Sequence, residues 1–129
     1  MLLLGSIFAG LAALVHVFIF VLESVRWTAP ATRKVFGVAS EQDALVMRQL
    51  AFNQGFYNLF LAVMAAAGIV LAAVGIVGAG VTLMLAGTGT MLAAALVLVL
   101  ADGSKLRAAA MQGTFPLLAV IVLVLHLLS

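Results

Sequence analysis

Residues 2–22 read LLLGSIFAGLAALVHVFIFVL, a run without one charged side chain. As a helix rising 1.5 Å per residue it is long enough to cross a hydrocarbon layer about 30 Å thick. Three more runs of that kind follow, from about Ala51 to Ala73, Gly80 to Ala101 and Ala108 to Leu128. Strands facing lipid would alternate polar and apolar residues with period two, and nothing in the chain does so. The reading is therefore an all-α membrane protein, four transmembrane helices in an antiparallel bundle forming a single membrane domain over residues 1–129. Residues 1–22 lack the basic leader of a signal peptide and are read as a retained span.

Composition agrees. Of 129 residues, 67% are apolar and 8% charged, with a mean hydropathy of +1.37. A soluble domain needs about 25% charged residues to cover its surface, so soluble enzymes and disordered tails are excluded. Six basic residues giving a net charge of +2 are too few for a nucleic-acid surface. The absence of cysteine rules out thiolate catalysis, iron–sulfur clusters and cysteine-ligated zinc.

Between the spans lie one long connection, Ser24 to Leu50, and two short ones, an apolar turn within Leu71 to Gly80 and the polar DGSKLR turn from Asp102 to Arg107. In the long connection Pro30 interrupts helix, and Thr32 to Val38 is placed along the interface. Ser40 followed by Glu41 and Asp43 reads as an N-cap with acids on the first turn, so the second spanning helix should begin about ten residues before the bilayer. All six basic residues (Arg26, Arg33, Lys34, Arg48, Lys105 and Arg107) flank the first and third connections. The positive-inside rule puts those connections in the cytoplasm of a bacterial inner membrane and both termini outside.

A polar side chain inside a span costs a few kcal/mol unless it finds a partner. Ala13, His16, Phe20, Glu23 and Trp27 follow a 3,4 spacing and share one helix stripe, His16 about 10 Å deeper than Glu23. Asn53, Gln54, Tyr57 and Asn58 cluster at the start of the second span, with Asn58 counted at the depth of His16, and Gln112 enters the same layer from the fourth. One reading is a buried hydrogen-bond network that fixes helix pairing. The other, preferred because so much polarity exceeds what pairing needs, is a pocket open to the cytoplasmic side. In it His16 is the general acid or base and Glu23 its counter-charge, while Asn53, Gln54, Tyr57, Asn58, Gln112 and Trp27 hold a ligand head. His16 and Asn58 should then lie within hydrogen-bond or one-water reach, with the third span as a wall. Glu23 alone also reads as an interfacial acid, and Trp27 and Tyr57 as belt aromatics. Thr82, Thr88 and Thr90 should return their hydroxyls to the backbone, and His126 should be a solvated terminal residue. No metal is expected, since His16 and Glu23 are seven residues apart without a second histidine at their depth. No cofactor is called for.

His16 and Glu23, the run NQGFYN from Asn53 to Asn58 and QGTFP from Gln112 to Pro116 resemble the pattern of DUF1304, a small bacterial membrane family without an assigned activity. The resemblance covers nearly the whole chain and implies a four-helix inner-membrane protein in which these positions belong together. A looser likeness to sterol-isomerase-type four-helix proteins is one of fold alone. Two further functions are open, a small transporter or proton-conducting homo-oligomer and an accessory subunit whose basic connection docks a partner. Membrane lipids and a small lipophilic ligand are the expected partners.

Overall fold

The computed structural model describes residues 1–129, and it is all-helical. Helix α1 covers Leu2–Phe20, α2 Pro30–Phe36, α3 Glu41–Ala73, α4 Val77–Ala101 and α5 Leu106–Leu128. α1, α3, α4 and α5 are long and apolar enough to cross a bilayer. α1 packs on α3 and α5, α3 on α4, and α4 on α5, so the four form a ring in chain order with α3 and α5 on a diagonal. Short connections account for the α3–α4 and α4–α5 pairings, since they make sequence neighbours antiparallel neighbours.

Hydrophobicity cannot hold these helices together where lipid is as apolar as leucine, so close approach of small residues must. The buried stripe of α1 is Gly5, Ala9, Ala12, Ala13 and His16. Ala12 and Ala13 meet Ala62, Ala65 and Met91 at mid-bundle. Ala9 joins Val81, Met84, Ala119 and Leu123 toward the end that carries Met1 and Ser129. The α3–α4 seam is tighter still. A Cβ on Gly68 would lie 2.7 Å from both Gly80 O and Met84 N. As expected, Thr82, Thr88 and Thr90 donate to the carbonyls four residues back, at 2.9, 2.7 and 2.8 Å.

The opposite end, where the long connection and the Asp102–Arg107 turn lie, is more elaborate than the sequence suggests. α1 does not stop at Phe20 but widens into a π-turn, Val21–Val25, closed by Arg26 N–H on Val21 O at 2.9 Å. Pro30 starts α2 rather than merely interrupting helix, because its fixed φ and missing N–H suit a first helical position. α2 thus lies two residues earlier than the interfacial segment expected over Thr32 to Val38. It ends at Gly37, whose φ of 70° is the left-handed conformation that stops a helix. Ser40 caps α3 as anticipated, its Oγ accepting from Asp43 N–H at 3.0 Å. α3 then runs 33 residues without interruption. α4 begins at Val77, three residues before the expected Gly80, because the turn needs only Val74 to Ile76 with Gly75 at φ 92°.

Candidate functional site

Of the residues expected on one stripe, Ala13 and His16 are buried on α1, Glu23 on the π-turn and Trp27 in the turn beyond it; His16, Glu23 and Trp27 are 1%, 8% and 7% exposed. Each polar group has found a different partner. His16 Nδ1 lies 2.9 Å from Ala12 O on its own helix. A carbonyl only accepts, so Nδ1 carries the hydrogen of this bond. Trp27 donates its indole N–H to Ala44 O at 2.9 Å and packs against Phe36 with ring centroids 5.2 Å apart. Together with Ala44 and Ala51 it pins the connection to α3.

Glu23 sits on the π-turn and accepts a 2.8 Å hydrogen bond at Oε2 from the Asn58 amide. The second hydrogen of that amide goes to Gln54 O at 3.2 Å. No direct hydrogen bond joins Asn58 to His16. Counting from Leu22 and Ala51 put those two residues at one depth. The helices in fact meet with Ser24 against Gly55, where a Cβ would lie 3.1 Å from Ser24 N, and Ser24 Oγ donates to Phe52 O at 2.8 Å. This register sets Asn58 beside Glu23, a residue about 10 Å along the helix from His16. Phe20, between His16 and Glu23 on the stripe, meets Phe56 edge to face at 5.1 Å. Neither Gly55 nor Phe56 stood out in the sequence, although both lie inside NQGFYN. The signal for Gly55 was the lone glycine flanked by side chains too large for a close helix crossing.

The other expected ligand-binding residues are more dispersed. Asn53 and Gln54 are exposed on α3, and Tyr57 is 64% exposed. Gln112 is half-buried on α5, diagonal to α3 and sharing no seam with it. α3 and α5 therefore do not meet directly, α1 lying between them on one side of the ring and α4 on the other. Two apolar recesses lie elsewhere on α1. A trough of about 510 Å³ runs between α1 and α3 past Leu11, Leu14, Val17, Ala62, Val63 and Ala66, and one of about 550 Å³ lies between α1 and α5. His16, Glu23 and Asn58 line neither. No cluster of three potential metal ligands exists. At the connection end, Asp102 Oδ1 accepts from the Ser104 hydroxyl at 2.7 Å and the Ser104 amide at 3.0 Å. The hydroxyl first and the amide second hold the Asp102 carboxyl below its usual range. His126 is half-buried near the opposite end of α5.

Four membrane-crossing helices, sealed by small residues and joined near one end by a carboxyl–amide pair, define a small integral-membrane bundle. The sequence profile of the family described as "Protein of unknown function (DUF1304)" matches residues 10–124, and the chain belongs to that family. No match is found among curated proteins or solved structures.

Proposed function

We propose that the protein binds a small lipophilic molecule with a polar head. The head is held at Glu23 and Asn58, the apolar body lies along the α1–α3 seam, and His16 serves as proton donor or acceptor. The observation that carries this reading is the Glu23–Asn58 hydrogen bond, a buried carboxyl and an amide in the same helix pair that lines the 510 Å³ trough. Sites for such ligands combine apolar walls with a few polar groups; here the trough supplies the walls, and the Glu23–Asn58 pair, which does not line it, supplies the polar groups from the same helix pair. Asn53, Gln54 and Tyr57 lie on the same stretch of α3, and Gln112 and Trp27 belong to the same proposed ligand set. The six basic residues at the connection end favour a cytoplasmic placement of that end in a bacterial inner membrane.

Native mass spectrometry after mild extraction tests the reading. Wild type should carry a lipid or metabolite that Asn58→Leu releases. An empty wild type, together with a His16→Leu/Asn58→Leu double variant that stays folded and gains stability, would replace it with a structural network. That second reading is favoured by the completeness of the pairing, since both Asn58 amide hydrogens, the Ser24 hydroxyl and the Trp27 indole already have acceptors.

A further inference from the structure

Glu23 has no basic partner. Its one hydrogen bond comes from the neutral amide of Asn58, and Oε1 accepts none. That oxygen is not sealed off by neighbouring atoms either. Arg26, the nearest basic residue in sequence, is exposed beyond the π-turn. An ionised carboxylate among membrane helices is costly without a countercharge, and amide donors supply only part of what water would.

Aromatic residues gather along the chain beside both members of the Glu23–Asn58 pair. Phe20 lies one turn before it and meets Phe56 at 5.1 Å. Phe56 in turn touches Phe52 and Phe60, with centroids 4.9 and 6.1 Å away. Phe52 and Phe60 are exposed, and Phe20 and Phe56 are half-buried. Four rings thus form one cluster reaching from the Glu23 turn to the outer surface of α3. The negative face of an aromatic ring attracts a cation, and the attraction grows when water is absent. On the side toward the connection, Ser24 and Gly55 close the seam.

We infer that the polar head recognised by this protein is positively charged, so that the ligand is a lipophilic cation such as a hydrophobic amine or a quaternary onium compound. This rests on the reading of the chain as a receptor for lipophilic molecules and adds the sign of the head. Glu23 supplies the countercharge, Asn58 holds the carboxyl in place, and the Phe20–Phe56 pair offers a ring face to the cation. The apolar body of the ligand then follows the seam toward Val17 and Ala62.

The test uses three probes of similar size and different charge, tetraphenylphosphonium, tetraphenylborate and neutral triphenylphosphine oxide. Saturable binding is measured to the full chain in nanodiscs of zwitterionic phosphatidylcholine. Wild type should bind the phosphonium most tightly, and Glu23→Gln should bind it at least about tenfold more weakly. Phe56→Leu should cost about three- to thirtyfold for the cation and less for the neutral probe. Preference for the borate or the neutral compound would overturn the inference and leave the receptor reading standing. So would equal phosphonium affinity in wild type and Glu23→Gln. Saturable binding of none of the three would overturn both. The comparison of probes on wild type stands alone if a variant does not fold.

Discussion

Gly68→Ala isolates what holds the bundle together. The added methyl would sit 2.7 Å from Gly80 O and Met84 N, backbone atoms that cannot rotate away, where ordinary contact begins near 3.4 Å. α3 and α4 must therefore part by about 0.7 Å, a gap that forfeits a quarter to a half of each contact's dispersion energy. Spread over the atoms that line the seam, at about 0.1–0.2 kcal/mol per pair, the loss is roughly 2–3 kcal/mol. Alanine's better helix propensity returns up to about 1 kcal/mol, which leaves a net cost of roughly 1–2 kcal/mol. Gly89→Ala, on α4 with nothing within 4 Å of the new methyl, gains the propensity without the clash and should be neutral or slightly stabilising. Reversible unfolding of both variants in mixed micelles, by titration with a denaturing detergent, gives the comparison. If Gly68→Ala proves as stable as Gly89→Ala, backbone proximity is not what seals this seam.

Trp27→Phe keeps an aromatic ring in the plug but loses the donor to Ala44 O, which should cost about 0.5–1.5 kcal/mol; limited trypsin digestion should then cleave at Arg26, Arg33 or Lys34 faster than in wild type, and unchanged cleavage would show that the indole nitrogen does not pin the connection. Ser24→Ala should lower stability by about 0.6 kcal/mol, an ordinary value for a hydrogen bond between membrane helices, and should soften the effect of Gly55→Ala when the two are combined, because the hydroxyl is the nearest obstacle to the new methyl. Strict additivity of the pair would deny that contact. The Asp102 carboxyl, depressed in the folded state, stabilises the turn at all pH values above the ordinary aspartate range and loses that contribution as pH falls through its lowered value. The Ser104 amide resonance should therefore titrate with a midpoint below about 3.9, and a higher midpoint would contradict the double hydrogen bond. Single cysteines at Lys34 and Lys105, in a chain without native cysteine, should resist an impermeant reagent added to intact cells; labelling from outside would reverse the proposed orientation.

The four spans, the Ser40 cap, the three threonine back-bonds and the burial of His16, Glu23 and Trp27 were all legible from local chemistry. Each is contained in one continuous stretch of chain, and local periodicity and capping fix such relations before tertiary packing is known. The partner of Asn58 was not legible. Its identity depends on the sliding register of α1 against α3, which is decided by where a serine and a glycine 31 positions apart come together. Nor does composition mark the π-turn, since one extra residue in a helical turn changes the hydrogen-bond pattern without changing the apolar character of the run. Gln112 was grouped with Asn58 by depth alone. Depth says nothing about whether two helices are neighbours or lie on a diagonal of the ring.

That ring has a consequence for how the chain is made. Because the order of helices around it repeats their order along the chain, each newly inserted helix finds its first neighbour already waiting beside it, and α1–α3, α3–α4 and α4–α5 can close as successive hairpins. The contact of α1 with α5, where a methyl on Gly5 would strike Leu123, joins segments separated by most of the sequence. Local pairings precede distant ones when chain entropy governs the order of events, so this seam closes last. Until it does, the face of α1 that carries Gly5 and Ala9 stays open to lipid during biogenesis, and a quality-control protease or chaperone in the membrane would meet the protein there.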